Sequence, residues 1–312
     1  MQLSCGEKML DLTVVILTKD EQIHIERALR SVLGLAKRIV VVDSFSTDDT
    51  KAIALANGAC VFENKFINQA KQFQWALDNC GIDTTWIMRL DADEIVEADL
   101  KQNLILELPR VSDEVVGFNL KRKHVFWGKW IRFGGRYPLL LLRVWRNGFG
   151  RVENRWMDEH VIVWGGKVKC MEGGFIDHNL NDLSFFTDKH NRYATREAVD
   201  VISKKYALAG RDGILNYDST SFQAFLKRWV KEKIYNRIPF PLSSFIYFCY
   251  RYFILLGFLD GLPGLVYHFL QGYWYRFLVG AKLKEYEDAI AGLTDVNDIK
   301  LRIELLTGYK IV

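Results

Sequence analysis

A chain of 312 residues, 49% hydrophobic and 26% charged, has the size and make-up of one large globular domain or a domain with an appendage, which excludes general disorder. Its formal net charge of +4 is too small to point to nucleic acid as a partner. Five scattered cysteines, odd in number and with no C-x-x-C pair, exclude a disulfide framework and read as a reduced, cytosol-facing protein.

The first eleven residues are too polar for a signal peptide, and TVVIL (13–17) is too short for its apolar stretch. Strand and helix signals then alternate. LTVVILT (12–18) is an apolar run of buried-strand length; Ile25, Ala28, Leu29 and Val32 recur at helical spacing and Gly34 stops the pattern. RIVVVDS (38–44) is a second strand, and STDDT (46–50) caps a helix that Gly58 closes. CVFE, INQAKQFQWALDN and TWIMRL follow as strand, helix and strand. Such alternation implies an α/β fold with a parallel sheet covered on both faces, and ligands bind such sheets at the carboxyl ends of the strands.

Three polar groups therefore belong on one rim: Thr18-Lys19-Asp20-Glu21, Asp43-Ser44, and Asp91-Ala92-Asp93. Asp91 and Asp93 lie two apart, so an extended chain through Ala92 would point both carboxylates the same way, and two such charges need something positive between them. No G-x-G-x-x-G follows a strand and no P-loop is present. A nucleotide here would need its diphosphate neutralised by something other than a glycine-rich loop, and a divalent metal, Mn²⁺ or Mg²⁺, on Asp93 does that. Taken singly, an Asp after a strand is more often a turn former, and for Asp43 alone that plainer reading is preferred. For Asp91 and Asp93 the company of two other rim groups favours function.

"TVVILTKDE" (13–21), "RIVVVDSFSTDDT" (38–50) and "RLDADE" (89–94) resemble, in order and spacing, a family 2 glycosyltransferase of the bacterial polysaccharide or lipopolysaccharide-core type. The resemblance implies a GT-A fold, a Rossmann-like and mostly parallel sheet flanked by helices. It implies that Thr18, Asp20 and Glu21 border the donor nucleoside, with Asp43 near the base and Arg89 in the same set. Asp91 would approach the ribose or a metal-bound water, and Asp93 would ligate the metal. This chain departs at Lys19-Asp20, where many members carry Asn before the Glu.

An inverting transfer needs a carboxylate to take the acceptor's proton. "ENRWMDEHVIVWGGK" (153–167) offers Asp158 and Glu159; neighbours on an extended chain face opposite ways, so one of them serves. Glu159 is the candidate base and Asp158 the alternative, against the plainer reading of a surface acid pair. By resemblance to GT-A enzymes, a histidine beyond this motif completes the metal shell, and His178 is the candidate. His190, Asn191 and Arg192 would serve the diphosphate or packing. In "KRKHVFWGKWIRFGGRYPLLLLRVWR" (121–146), Arg136, Arg143 and Arg146 suit phosphate and Trp127 and Trp130 a sugar face, unless they form a strand pair with exposed cations.

Between Phe222 and Tyr286 lie 19 of the 42 aromatic residues. "SFQAFLKRWVKEKIYNRI" (221–238) sets Phe222, Phe225, Trp229 and Ile234 on one helical face and cations elsewhere. FIYFCYRYFILLGFL (245–259) is short for a span and carries Arg251. A buried helical subdomain, a true span and peripheral insertion compete, and insertion accounts best for the cations and aromatic belt together.

The expected organisation is a catalytic domain (1–215), a helical membrane-interface region (216–290) and a tail (291–312). The expected activity is an inverting, metal-dependent hexosyl transfer from a nucleotide sugar to a lipid-linked saccharide or lipopolysaccharide acceptor. By resemblance, the place is the cytoplasmic face of the bacterial inner membrane, peripheral or monotopic. The rivals are a sugar nucleotidyltransferase and a non-catalytic, membrane-bound sugar-nucleotide-binding subunit.

Overall fold

The computed structural model describes residues 9–153, 161–208 and 238–311. They cluster into two compact units that divide between Leu180 and Asn181. The first unit runs β1 (Leu10–Thr18), α1 (Ile25–Val32), β2 (Ala36–Asp43), α2 (Thr50–Ala56), β3 (Cys60–Glu63), α3 (Gln69–Asn79), β4 (Trp86–Asp91), β5 (Glu94–Val96) and α4 (Ala98–Glu107). It continues through β6 (Val115–Phe126), β7 (Lys129–Ile131), β8 (Leu139–Arg146), β9 (Gly150–Val152), β10 (Val161–Val163) and β11 (Lys167–His178).

The main sheet has the order β3-β2-β1-β4-β8-β6-β11-β5, with β7 beside β6; β9 and β10 pair separately. Its first four strands are parallel, the part that the alternation of strand and helix signals anticipates. Both faces are covered, which is why these strands read as unbroken apolar runs. Leu12, Val14 and Ile16 pack on one side against Leu29 of α1 and Leu100 of α4. Val15, Val40, Val42 and Ile87 pack on the other against Phe73 and Ala76 of α3. Full burial of each such side chain contributes roughly 1.5–3 kcal/mol.

Beyond β4 the sheet is mixed. β8 runs antiparallel to both β4 and β6, while β11 runs parallel to β6. Two antiparallel steps restore the original direction, so the carboxyl ends of β6 and β11 arrive at the same rim as those of β1, β2 and β4. β5, antiparallel to β11, begins at that rim with Glu94.

The second unit opens with α5 (Leu183–Tyr206), whose N-cap Asp182 accepts a hydrogen bond from the Phe185 N–H. It continues with α6 (Phe240–Cys249), a π-helical turn to Ile254, α7 (Gly261–His268), α8 (Tyr275–Ala289) and α9 (Val296–Thr307). Ala198 and Ile202 of α5 pack with Tyr286, Ile290, Ile299 and Ile303. The domain boundary expected at 215 lies outside the described residues, and the one expected at 290 falls in the loop before α9. Among the described residues no single helix is long and apolar enough to cross a membrane; Phe240–Ile254 and Gly257–Ala289 meet those measures only as a pair bent by 71°.

Candidate active site

The rim begins where β1 and β2 end. Asp43 is fully buried, and its carboxylate accepts from Thr18 Oγ1 at 2.9 Å, Ser46 N at 2.7 Å and Ser46 Oγ at 2.5 Å. It thus fastens the two strand ends together. Asp20 sits in the left-handed region at φ 54° and accepts from Thr47 N at 2.8 Å, tying the same two loops. Asp is one of the few side chains that tolerate that conformation. A depression beside these loops is lined by Leu17, Thr18, Lys19, Ser44, Phe66 and Gln69.

Glu21 connects this corner to the end of β11. Fully buried His24 accepts the Leu180 N–H at Nε2 (2.8 Å), so its Nδ1 carries the proton and donates to Glu21 Oε2 at 2.6 Å. His24 escaped sequence reasoning because it falls among the polar positions of a helix start.

The four carboxylates of 91–97 separate. β4 ends at Asp91 and the chain turns at Ala92-Asp93, so the extended geometry that would aim Asp91 and Asp93 together does not occur. Asp91 Oδ2 accepts from Arg143 Nη2 at 3.0 Å and Oδ1 lies 3.4 Å from Arg89 Nε. Glu94, 2% exposed, takes the same Arg143 nitrogen at 2.5 Å and the Asp91 N–H at 2.9 Å. Burial acts to raise the Asp91 carboxyl, but the charges of Arg143 and Arg89 outweigh it and hold it well below the usual carboxylate range. Burial, with Asp91 adding to it, pushes Glu94 up to about 8 in spite of Arg143. The positive group demanded beside Asp91 is therefore a pair of arginines. Arg143, expected to suit phosphate, is buried between carboxylates instead, and Arg89 lies buried with its guanidinium 5.6 Å from the Phe73 ring centre.

Asp93 takes another direction. Its Oδ2 accepts from Asn179 Nδ2 at 3.0 Å, and its carbonyl accepts the His178 N–H at 3.0 Å. Arg27 of α1 donates to the His178 carbonyl at 2.9 Å, and its Nη1 lies 3.5 Å from the ring Nδ1. Burial and then the Arg27 charge lower the His178 pKa and favour a neutral imidazole. Asp93 and His178, 85 positions apart in sequence, are thus joined at one end of the rim. Asn179 and Arg27 were missed; Asn179, next to His178, was the more legible of the two.

Among the described residues, no three His, Cys, Asp or Glu side chains form a ready metal cage. Asp93 nevertheless offers one carboxylate, the kind of ligand that Mg²⁺ or Mn²⁺ takes while filling the remainder with phosphate and water, and the neutral His178 imidazole belongs to the same end of the rim. Asp158 and Glu159 lie outside the described residues. Arg146 stands at the far end of β8, away from the rim, donating to the Val115 carbonyl at 2.9 Å. His190, with Nδ1 2.8 Å from the Phe186 carbonyl and its ring on that phenyl group, packs inside the second unit.

Comparison with known proteins bears on this geometry. The family described as glycosyl transferase family 2 matches residues 13–170, just over half of the chain and all three rim groups. The chain belongs to glycosyltransferase family 2. Its enzymatic class follows: it is a glycosyltransferase with a GT-A-like α/β sheet and an aromatic-rich helical region after it. An uncharacterized glycosyltransferase of Rickettsia typhi is 34% identical over 208 residues, covering 63% of this chain and 70% of that protein. One from Rickettsia felis is 38% identical over 96 residues, and there the match spans 31% of this chain and only a third, 33%, of the relative. The crystal structure of glucosyl-3-phosphoglycerate synthase from Mycobacterium tuberculosis with Mn²⁺, UDP and glucosyl-3-phosphoglycerate is 21% identical, with a TM-score of 0.31 over 36% of this chain and 44% of that one. A likeness of that size says nothing of this chain's donor, acceptor or metal.

Proposed function

We propose that this glycosyltransferase is an inverting, metal-dependent hexosyltransferase. It would move a sugar from a nucleotide-diphosphate donor to a lipid-linked saccharide or lipopolysaccharide-core acceptor in envelope polysaccharide synthesis. Its place would be the cytoplasmic face of a bacterial inner membrane. The observation that carries the reading is the meeting of Asp93, His178, Asn179 and Arg27 at the same rim as Thr18, Asp20, Glu21 and Asp91.

In this reading Thr18, Asp20 and Glu21 border the nucleoside, in loops fixed by the buried Asp43. Asp91, kept ionised by Arg143 and Arg89, offers an acceptor to a ribose hydroxyl. Asp93 and His178 hold the divalent cation, which when bound neutralises charge on the departing diphosphate. Glu159, or Asp158 in its place, takes the proton of the acceptor hydroxyl as its oxygen attacks the anomeric carbon. Attack opposite the leaving diphosphate inverts that carbon.

The test is sugar transfer by the purified full chain, with Mn²⁺ or Mg²⁺, across a panel of nucleotide sugars and a lipid-linked saccharide extract. Release of nucleoside diphosphate in step with product, abolished by chelator, is expected. Asp93→Asn should lower turnover at least 100-fold, and Glu159→Gln should do the same while donor binding persists. Pyrophosphate release would identify a nucleotidyltransferase, donor binding without turnover a sensor, and near-normal turnover in Glu159→Gln would remove Glu159 from the base role.

A further inference from the structure

The second unit contains a segment whose polarity is turned inside out. Across residues 238–275 the fully charged side chains are Arg251 and Asp260, although 26% of the whole chain is charged. Both are buried, at 4% and 2% exposure, and His268 is fully buried with them. The outside of the bend carries Phe253, Ile254, Leu256, Phe258, Leu259 and Leu262, all between 43% and 70% exposed. A water-facing helix pair puts its charges out and its leucines in; this one does the opposite.

The bend has a local cause. The helix from Phe240 ends in a π-helical turn at Ile254, and Leu256 adopts φ 59°, a left-handed state costing roughly 1–2 kcal/mol for such a residue. Glycines let the arms close behind it. A Cβ on Gly257 would meet the His268 ring at 2.7 Å, and one on Gly264 would meet the Asp260 Cβ at 2.5 Å. Inside the closure His268 Nε2 stands 4.0 Å from Asp260 Oδ2, and the Arg251 guanidinium lies 5.7 and 5.8 Å from the rings of Tyr247 and Tyr267. The charges thus face one another and aromatic rings, leaving the apex wholly apolar.

We infer that Phe240–Tyr275 is a re-entrant wedge: its apex around Leu256–Leu262 enters one leaflet of a lipid bilayer and both arms return to the side from which they came. The inference rests on the membrane-surface reading of the proposed function and adds a topology to it. Dimensions favour dipping over spanning. The 15-residue arm Phe240–Ile254 is roughly 22 Å long, short of the ~30 Å hydrocarbon core. With the arms leaning equally about the 71° bend, the apex descends roughly 13 Å, within one leaflet. Charge selects lipid over a second copy of the chain. Between 227 and 237, ahead of the wedge, Lys227, Arg228, Lys231, Lys233 and Arg237 stand against Glu232 alone, so that flank attracts anionic headgroups and two such flanks repel each other.

The test uses the full chain and vesicles of phosphatidylethanolamine and phosphatidylglycerol. In the unmodified protein, hydrogen exchange at the amides of 255–262 should slow at least tenfold on adding vesicles. With the five native cysteines replaced by serine, single cysteines at Ile238→Cys, Leu259→Cys and Lys284→Cys are then exposed to an impermeant maleimide outside the vesicles. Both flanking sites should react as they do without lipid, and the apex site should lose at least nine-tenths of its reactivity. A flanking site shielded from the outer solution would mean a span. Unchanged exchange with an apex that stays reactive would leave this surface to a protein partner; either result overturns the wedge. Failed sugar transfer with insertion intact would instead count against the catalytic reading alone.

Discussion

Arg143 is the residue on which the acidic end of β4 depends. One guanidinium nitrogen contacts Asp91 and Glu94 at 3.0 and 2.5 Å, and removing it would leave the buried Glu94 carboxyl and the part-exposed Asp91 carboxylate without that donor. Its own charge is stabilised in return, since the pull of those carboxylates exceeds the effect of burial and raises its pKa. Glu94 supplies a pH test in the metal-free protein. A carboxyl whose folded pKa is about 8 binds its proton more tightly than the unfolded chain does, so its stabilising contribution is full below the ordinary glutamate range and declines as pH rises to 8. Asp91, shifted the other way, is ionised throughout that window. Glu94→Gln has no proton to lose, so the unfolding free energy of the natural protein should fall relative to this variant between about pH 5 and 8. Urea melts of both proteins at several pH values measure the difference, and a constant gap would mean that Glu94 is ionised throughout. The cluster of acids was plain in the sequence, but its counter-charge was not. Arg143 lies 52 positions from Asp91 on an antiparallel strand that the alternation of strands and helices does not foretell.

At the scale of elements, the legible part is the part built from local periodicity. Strands buried on both faces show as apolar runs, and α1 shows as Ile25, Ala28, Leu29 and Val32. The place of β11 was not legible, because it follows from two antiparallel steps through β8 and β6. His178 was nominated by resemblance rather than by any signal that β11 ends beside the turn that follows β4. Asp43 illustrates a further ambiguity, since the same conspicuous position serves the loops before it serves any ligand. Asp43→Ala would leave Thr18 Oγ1 and both Ser46 donors without their acceptor, a loss of roughly 3 kcal/mol at a buried site. Asp43→Asn keeps an acceptor oxygen and should lose less. Thermal unfolding of the two variants without donor reads this directly; an unchanged melting temperature in Asp43→Ala would show that the carboxylate is held for the ligand alone.

At the scale of the molecule, the family match and the rim lie within residues up to Asn179, while the inverted polarity lies beyond Phe240. The chemistry and the proposed membrane address are therefore separable by mutation. A charge at the apex of the wedge should affect only the second. Placing an aspartate in hydrocarbon costs roughly 2.5–3.5 kcal/mol, so Leu259→Asp should weaken partitioning into vesicles by about 100-fold. An acceptor held in the same bilayer is met at the high effective concentration that membrane binding creates, and that advantage disappears with the enzyme's hold on the lipid. Transfer to vesicle-borne acceptor should then fall at least tenfold in Leu259→Asp, whereas transfer to the same acceptor dispersed in detergent, where no bilayer is needed, should be unchanged. Parallel assays on the two acceptor forms decide between the alternatives. Equal losses would mean that the apex supports the catalytic unit itself, and equal activities would mean that the bilayer gives the reaction no local concentration at all.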